Sequence, residues 1–228
     1  MENLKRLYAE LINDLSIKRV DYNENKLTIF SASAGTAYSG KIMIVGRAVN
    51  GWIHNLDPSS DAEVQQCIRS VQNAIETENL DWVKAQWGSY EKYNTRKSAF
   101  WRLSKAISAV VNPDIAFHTD SIVWTNLYKA AKEEGGNPSG RLINVEFQLC
   151  KQILDAEIAF YKPTNIVFLT GLGWATPFLA NATKIARDTN WEYVEQVGTY
   201  QGCKYIVGQH PQGKNESLHL YEIIRHIN

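Results

Sequence analysis

"NVEFQLCKQILDAEIAFYKPTNIVFLTG", residues 144–171, joins two periodicities in one stretch. Its first part places Leu149, Ile153, Glu157 and Tyr161 at helical spacing, from a cap at Asn144 to Pro163, which lacks the N–H that a continuing helix needs. The second part, "NIVFLTG" (165–171), is a short apolar run with little polar alternation, as expected of a strand covered on both faces. A helix that hands the chain to a buried strand is the repeating unit of a parallel sheet.

The same kind of run recurs as "KIMIVG" (41–46), "SIVWTN" (121–126) and "KYIVGQH" (204–210). Helical patterns lie between and after them. Residues 59–80 open with the capping box Ser60-x-x-Glu63 and line up Val64, Cys67 or Ile68, Val71 and Ile75 on one face; residues 98–113, 174–188 and 215–228 complete the set. Right-handed crossovers leave few topologies for such an alternation. The sequence therefore predicts an α/β fold, a three-layer sandwich with a central, mainly parallel four-stranded sheet flanked by helices, in a single domain over 1–228. "KLTIFSASAG" (26–35) and "YVEQVGTYQG" (193–202) are read as added edge strands or hairpins, the second turning at Gln201-Gly202.

Composition narrows the class. Hydrophobic residues make up 44% and charged residues 21%, ordinary values for a globular chain. No apolar run reaches the roughly 18 residues of a membrane span, and "MENLKRLYAELINDLS" is an amphipathic helix pattern without a secretory apolar core, so a cytoplasmic protein with no membrane partner is expected. Cys67, Cys150 and Cys203 are far apart without a CxxC pair, and no histidines stand at metal spacing; neither a metal nor another cofactor is expected. A net charge of +0 argues against a broadly basic DNA-binding surface. A local patch remains in "RKSAFWRLSK", where Arg96, Lys97, Arg102 and Lys105 interleave with Phe100 and Trp101. It reads either as a helix with a solvated basic face over a buried aromatic one or as the place where DNA is met. A monomer is expected.

In an open α/β sheet the ligand crevice lies outside the carboxyl ends of the strands. The residues found there are Gly46 to Trp52 after the first run, Asn126 at the end of the second, Thr170 to Gly173 after the third and His210 to Gly213 after the fourth.

These ends, as "IVGRAVNGW", "VWTN" and "GQHPQGKN", resemble the motifs of the uracil-DNA glycosylase superfamily, with softer echoes in "SAFW" and "KPTNIVFLTGLGWA". The resemblance runs from about Lys41 to Asn215 and implies a divergent member that hydrolyses the N-glycosidic bond of uracil or another damaged base in DNA. It puts Asn126 where the family reads the edge of a flipped base, since one carboxamide offers both a donor and an acceptor. His210 takes the place of the residue that stabilises charge on the leaving base. Gly46, Arg47 and Ala48 would hold the base, Trp52 would supply a stacking face, with Trp124 and Tyr128 as second choices, and Asn50 would orient water. The sequence departs from the family pattern at Ala48, where most active members carry Asp or Asn, at Arg47, which suits an anion better than uracil, and at Lys214-Asn215, where an apolar wedge is usual. Those departures open a second reading, a non-catalytic or re-specialised protein of the same fold that binds a nucleobase, nucleotide or small anion. Other nucleotide-binding α/β folds fit less well, because no GxGxxG or P-loop spacing follows the first run.

Overall fold

All four apolar runs become strands. In the computed structural model, which describes residues 1–18, 26–91, 93–186 and 190–227, they are β3 (Ile42–Gly46), β5 (Val123–Asn126), β7 (Asn165–Leu169) and β10 (Cys203–Gly208). The sheet that holds them is larger and more mixed than expected. It has seven strands in the order β2-β5-β3-β7-β10-β9-β8, where β2 is Ser33–Ala34, β8 is Thr183–Ala186 and β9 is Val194–Tyr200. β3, β7 and β10 are parallel, while β2 runs against β5, β9 against β10 and β8 against β9. The expected four-stranded, mainly parallel sheet is thus corrected to a seven-stranded mixed one.

One hairpin accounts for part of the difference. β9 and β10 turn at Gln201 and Gly202, both at positive φ (49° and 80°), the twist that a tight hairpin requires. The run 174–188, read as a helix, is another correction. Its helical part ends within α6 (Leu172–Ala175), and Thr183 to Ala186 pair as β8, an exposed edge strand. Pro177 cannot donate to a continuing helix, and β-branched Thr183 and Ile185 suit a strand. Arg187 and Asp188 lie outside the described residues.

The chain divides into two compact units. The first comprises Met1–Ala32, Gly46–Glu78 and Thr125–Phe160, the second Ser33–Val45, Asn79–Trp124 and Tyr161–Asn228. In the first, α1 (Glu2–Lys18) packs its buried Leu4, Leu7, Leu11 and Leu15 toward α2 (Asp61–Thr77), whose cap is the expected one, Ser60 Oγ accepting from Glu63 N. A small antiparallel sheet, β4 (His54–Leu56), β1 (Leu27–Ile29) and β6 (Ala130–Lys132), completes it with α5 (Gly140–Tyr161). α5 begins a turn earlier than the Asn144 cap expected for it, because Ser139 Oγ accepts from Leu142 N.

The second unit holds most of the seven-stranded sheet together with α3 (Asp81–Ala85), α4 (Ala99–Val111) and α7 (Glu216–Ile224), the last capped by Asn215 Oδ1 on Leu218 N. Its apolar centre contains a cluster in which Trp82, Trp101 and Trp124 meet with ring centroids 4.9–5.8 Å apart. Edge contacts of this kind add to simple area burial. Among the described residues no helix is long and apolar enough to cross a membrane.

Candidate functional site

Two of the strand ends are zipped together in the first unit. Leu127 N donates to Gly46 O at 2.9 Å and Tyr128 N to Arg47 O at 3.0 Å, so the segment after β5 runs alongside the segment after β3. Gly46 is buried, while Arg47 and Ala48 are half-buried. Asn50 is exposed, and its Oδ1 accepts from Gly136 N at 2.6 Å, tying this segment to the turn after β6. Trp52 is half-buried and stands edge-on to the buried Phe30, ring centroids 5.5 Å apart.

Asn126 is 2% exposed, and its Nδ2 has no hydrogen-bond partner among the described residues. Buried amide donors are rarely left this way, since the lost hydrogen bond costs about 1–3 kcal/mol. The peptide that carries it is unusually well held. Lys129 is fully buried and directs its ammonium at three oxygens, Asn126 O at 2.7 Å, Thr125 Oγ1 at 2.7 Å and Glu157 Oε2 at 2.8 Å. Thr125 Oγ1 also donates to Glu157 Oε2, and Tyr8 OH donates to Glu157 Oε1 at 2.9 Å. Both oxygens of a buried carboxylate are therefore satisfied, the condition under which a buried ion pair is tolerated.

A second carboxyl holds the next two peptides. Glu146 Oε2 accepts from Lys129 N at 3.1 Å, Ala130 N at 2.9 Å and Cys150 Sγ at 3.1 Å. Burial is the leading influence on Glu146 and pushes its pKa up to about 8, against the opposing pull of those donors and of the Lys129 charge. Burial also lifts the neighbouring Tyr128 phenol to about 12, helped by Cys150 and Glu146.

The sequence reading does not single out Lys129, Glu146 or Glu157 as functional. A faint signal exists in α5, whose buried stripe of Leu142, Glu146, Cys150, Ile153, Leu154, Glu157 and Ile158 places two acids at core positions. Charged residues are almost never fully buried unless paired.

His210 belongs to the second unit, two residues past the end of β10. It is half-buried, and its Nδ1 accepts from Gln212 N at 3.4 Å. Next to β10, His219 is fully buried beneath Tyr193, with ring centroids 5.2 Å apart. A Cβ on Gly208 would come within 2.8 Å of His219 Nε2, so glycine ends this strand where the imidazole comes closest. Burial leads in lowering the His219 pKa to about 4; Lys214 and His210 push the same way, and Glu222 opposes them.

The basic patch resolves into distinct environments within the second unit. Trp101 is buried and Phe100 half-buried. Arg102 is occupied by Glu216, its Nε lying 3.0 Å from both carboxylate oxygens. Lys105 is half-buried, and Arg96 and Lys97 are exposed. Among the described residues no group of three or more His, Cys, Asp or Glu side chains could hold a metal ion. No protein-family model matches this chain, and no curated protein matches it either.

Proposed function

We propose that the chain is a divergent uracil-DNA glycosylase-like protein that hydrolyses the N-glycosidic bond of uracil or a related damaged base in DNA. The observation that carries the reading is the Asn126 carboxamide: buried, its amide donor without a partner, on a peptide fixed through Lys129 and Glu157 and next to the Gly46–Arg47 segment. A donor and an acceptor on one side chain, carried by a peptide whose carbonyl is fixed by Lys129, suit the O4 and N3–H edge of uracil. In this reading the Gly46, Arg47 and Ala48 backbone holds the base and Trp52 stacks on it. By the resemblance alone, His210 takes the role of stabilising charge on the leaving base, and Asn50 orients water through the groups left over from its bond to Gly136.

The test is alkali-sensitive cleavage of uracil-containing single- and double-stranded oligonucleotides. Wild-type protein is expected to generate abasic sites, with losses of about 100-fold or more for Asn126→Ala and His210→Ala. Folded protein at high concentration that leaves every substrate intact removes the reading.

A second reading is favoured by Ala48 and by the engagement of Asn50 Oδ1 with Gly136, which together leave no side chain in this segment able to take a proton from water. It is a nucleobase- or nucleotide-binding protein without turnover, in which Arg47 anchors an anionic group. Calorimetric binding of dUMP that is lost in Arg47→Ala and unaccompanied by base release selects it; binding unchanged by that substitution counts against it.

A further inference from the structure

The second unit carries a surface that the base-reading residues do not use. Residues 82–109 contain Lys84, Lys92, Arg96, Lys97, Arg102 and Lys105 against a single acid, Glu91, in a chain whose net charge is +0. The same segment holds Trp87, Tyr90 and Tyr93. Tyr90 is 99% exposed and Tyr93 58%.

Both tyrosines sit on a closed loop with an ordered base. Thr95 is fully buried, donating its hydroxyl to Val83 O at 2.8 Å and its N–H to Gln86 O at 3.3 Å. Asn94 Oδ1 accepts from both Gly88 N and Arg96 N at 3.1 Å. The loop is therefore pinned at its root while it carries two phenol rings into water, where their burial stabilises nothing. Beside it lies an open groove of about 320 Å³ lined by Trp87, Arg102, Lys105, Ala106, Ala109 and His118. The Lys105 ammonium stands 5.1 Å from the Trp87 ring centroid and 5.3 Å from that of Phe117. Those cation–π contacts account for Trp87 and Lys105 structurally. They leave Tyr90 and Tyr93 unexplained. Arg102 is neutralised by Glu216, but Arg96, Lys97 and Lys105 have no carboxylate at ion-pair distance among the described residues.

We propose that this face, residues 86–91 and 93–97 with the exposed side of α4, is a binding track for single-stranded nucleic acid. Phosphates lie against Arg96, Lys97 and Lys105, and unpaired bases stack on Tyr90, Tyr93 and the rim of Trp87. Interleaved cations and accessible rings are the combination that holds a single strand without reading its sequence. Paired bases in a duplex hide the faces that such rings need. With three unpaired cations the electrostatic contribution is small, so micromolar affinity and a modest salt dependence are expected. At about 0.7 ions released per phosphate on a single strand, log K falls with log salt at a slope near −2.

The inference does not rest on the glycosylase reading. The experiment is fluorescence anisotropy of labelled oligo-dT, its duplex with oligo-dA and labelled poly-glutamate, measured across a salt series. The proteins are wild type, Lys97→Glu/Lys105→Glu and Tyr90→Ala/Tyr93→Ala. The charge variant is expected to bind oligo-dT at least tenfold more weakly and with a shallower salt slope. The tyrosine variant should also lose at least tenfold, with the slope kept. Absence of base release with this pattern intact overturns the glycosylase reading alone. Oligo-dT binding that neither surface variant weakens overturns the track, as does equal affinity for the duplex or for poly-glutamate.

Discussion

Glu146→Gln isolates one buried proton. Folding takes the Glu146 carboxyl out of water and raises its pKa to about 8 from the ordinary glutamate value of 4.5. Between those limits the folded chain keeps a proton that the unfolded chain releases. Rising pH therefore favours unfolding, at about 1.4 kcal/mol per pH unit from this group, and the loss levels off once the folded carboxyl also ionises near pH 8. The full span is at most about 5 kcal/mol, and the part between about pH 5.5 and 7.5 is about 2.7 kcal/mol. Glutamine keeps the oxygen that accepts from Lys129 N, Ala130 N and Cys150 Sγ, and places its amide where Oε1 already lacks a partner. At acidic pH the variant should lie about 1–3 kcal/mol below wild type, since its amide buries two unpaired N–H donors where the protonated acid buries one O–H. Urea unfolding followed by tryptophan fluorescence, at steps from pH 5 to 9, should show the variant gaining on wild type as pH rises. A gap that stays constant across the series refutes the assignment of a buried proton to Glu146.

Two further substitutions probe the same architecture. Lys129→Met strands the Glu157 carboxylate, which is buried with Lys129 at a separation of 2.8 Å, and should cost about 3–5 kcal/mol; adding Glu157→Leu should recover more than half of it, whereas additive losses in denaturant titrations contradict a coupled pair. His219 has a folded pKa near 4, below its unfolded value of 6.5, so its contribution is complete above about pH 6.5 and declines as pH falls toward 4. Against His219→Gln, wild type should lose about 3 kcal/mol over that window, and acid unfolding curves that remain parallel would show that the imidazole is not buried neutral.

How much was legible follows from where each signal is written. The four core strands are nearly continuous β-branched and apolar runs, so burial on both faces marks them in one dimension. The Ser60 cap and the Gln201-Gly202 turn are local chemistry and equally readable. The start of α5 is misplaced in the sequence reading because Asn144 is as good a capping type as Ser139, and the choice depends on which residue meets the core. β4 and β6, three residues each, are fixed by pairing with β1 rather than by pattern, and β8 is an edge strand whose four residues are all exposed. In the candidate site, Gly46, Arg47 and Asn126 could be placed at strand ends from the runs alone. The bonds from Leu127 to Gly46 and from Tyr128 to Arg47 join segments remote in sequence and leave no trace in spacing.

The residues that break the hydrophobic pattern most strongly gather around the Asn126 peptide and the segment that follows it. Lys129, Glu146 and Glu157 are charged side chains in fully buried positions, where apolar residues of similar size would often be as stable or more so. A core selected for stability alone has no use for a carboxyl whose pKa is displaced to about 8. What the arrangement supplies is directional: Lys129 fixes the Asn126 carbonyl, Glu146 fixes the N–H groups of Lys129 and Ala130, and Glu157 with Thr125 and Tyr8 fixes the Lys129 ammonium. An apolar core can fill the same space but cannot orient a peptide plane, because dispersion contacts have no preferred direction. A side chain required to meet a planar ligand within a few tenths of an ångström needs that orientation. On the proposed reading, the local cost in stability and the unpartnered Asn126 amide are two consequences of one requirement, and the Lys129→Met/Glu157→Leu protein separates them: it should keep its fold while losing affinity for the base proposed to sit on Asn126.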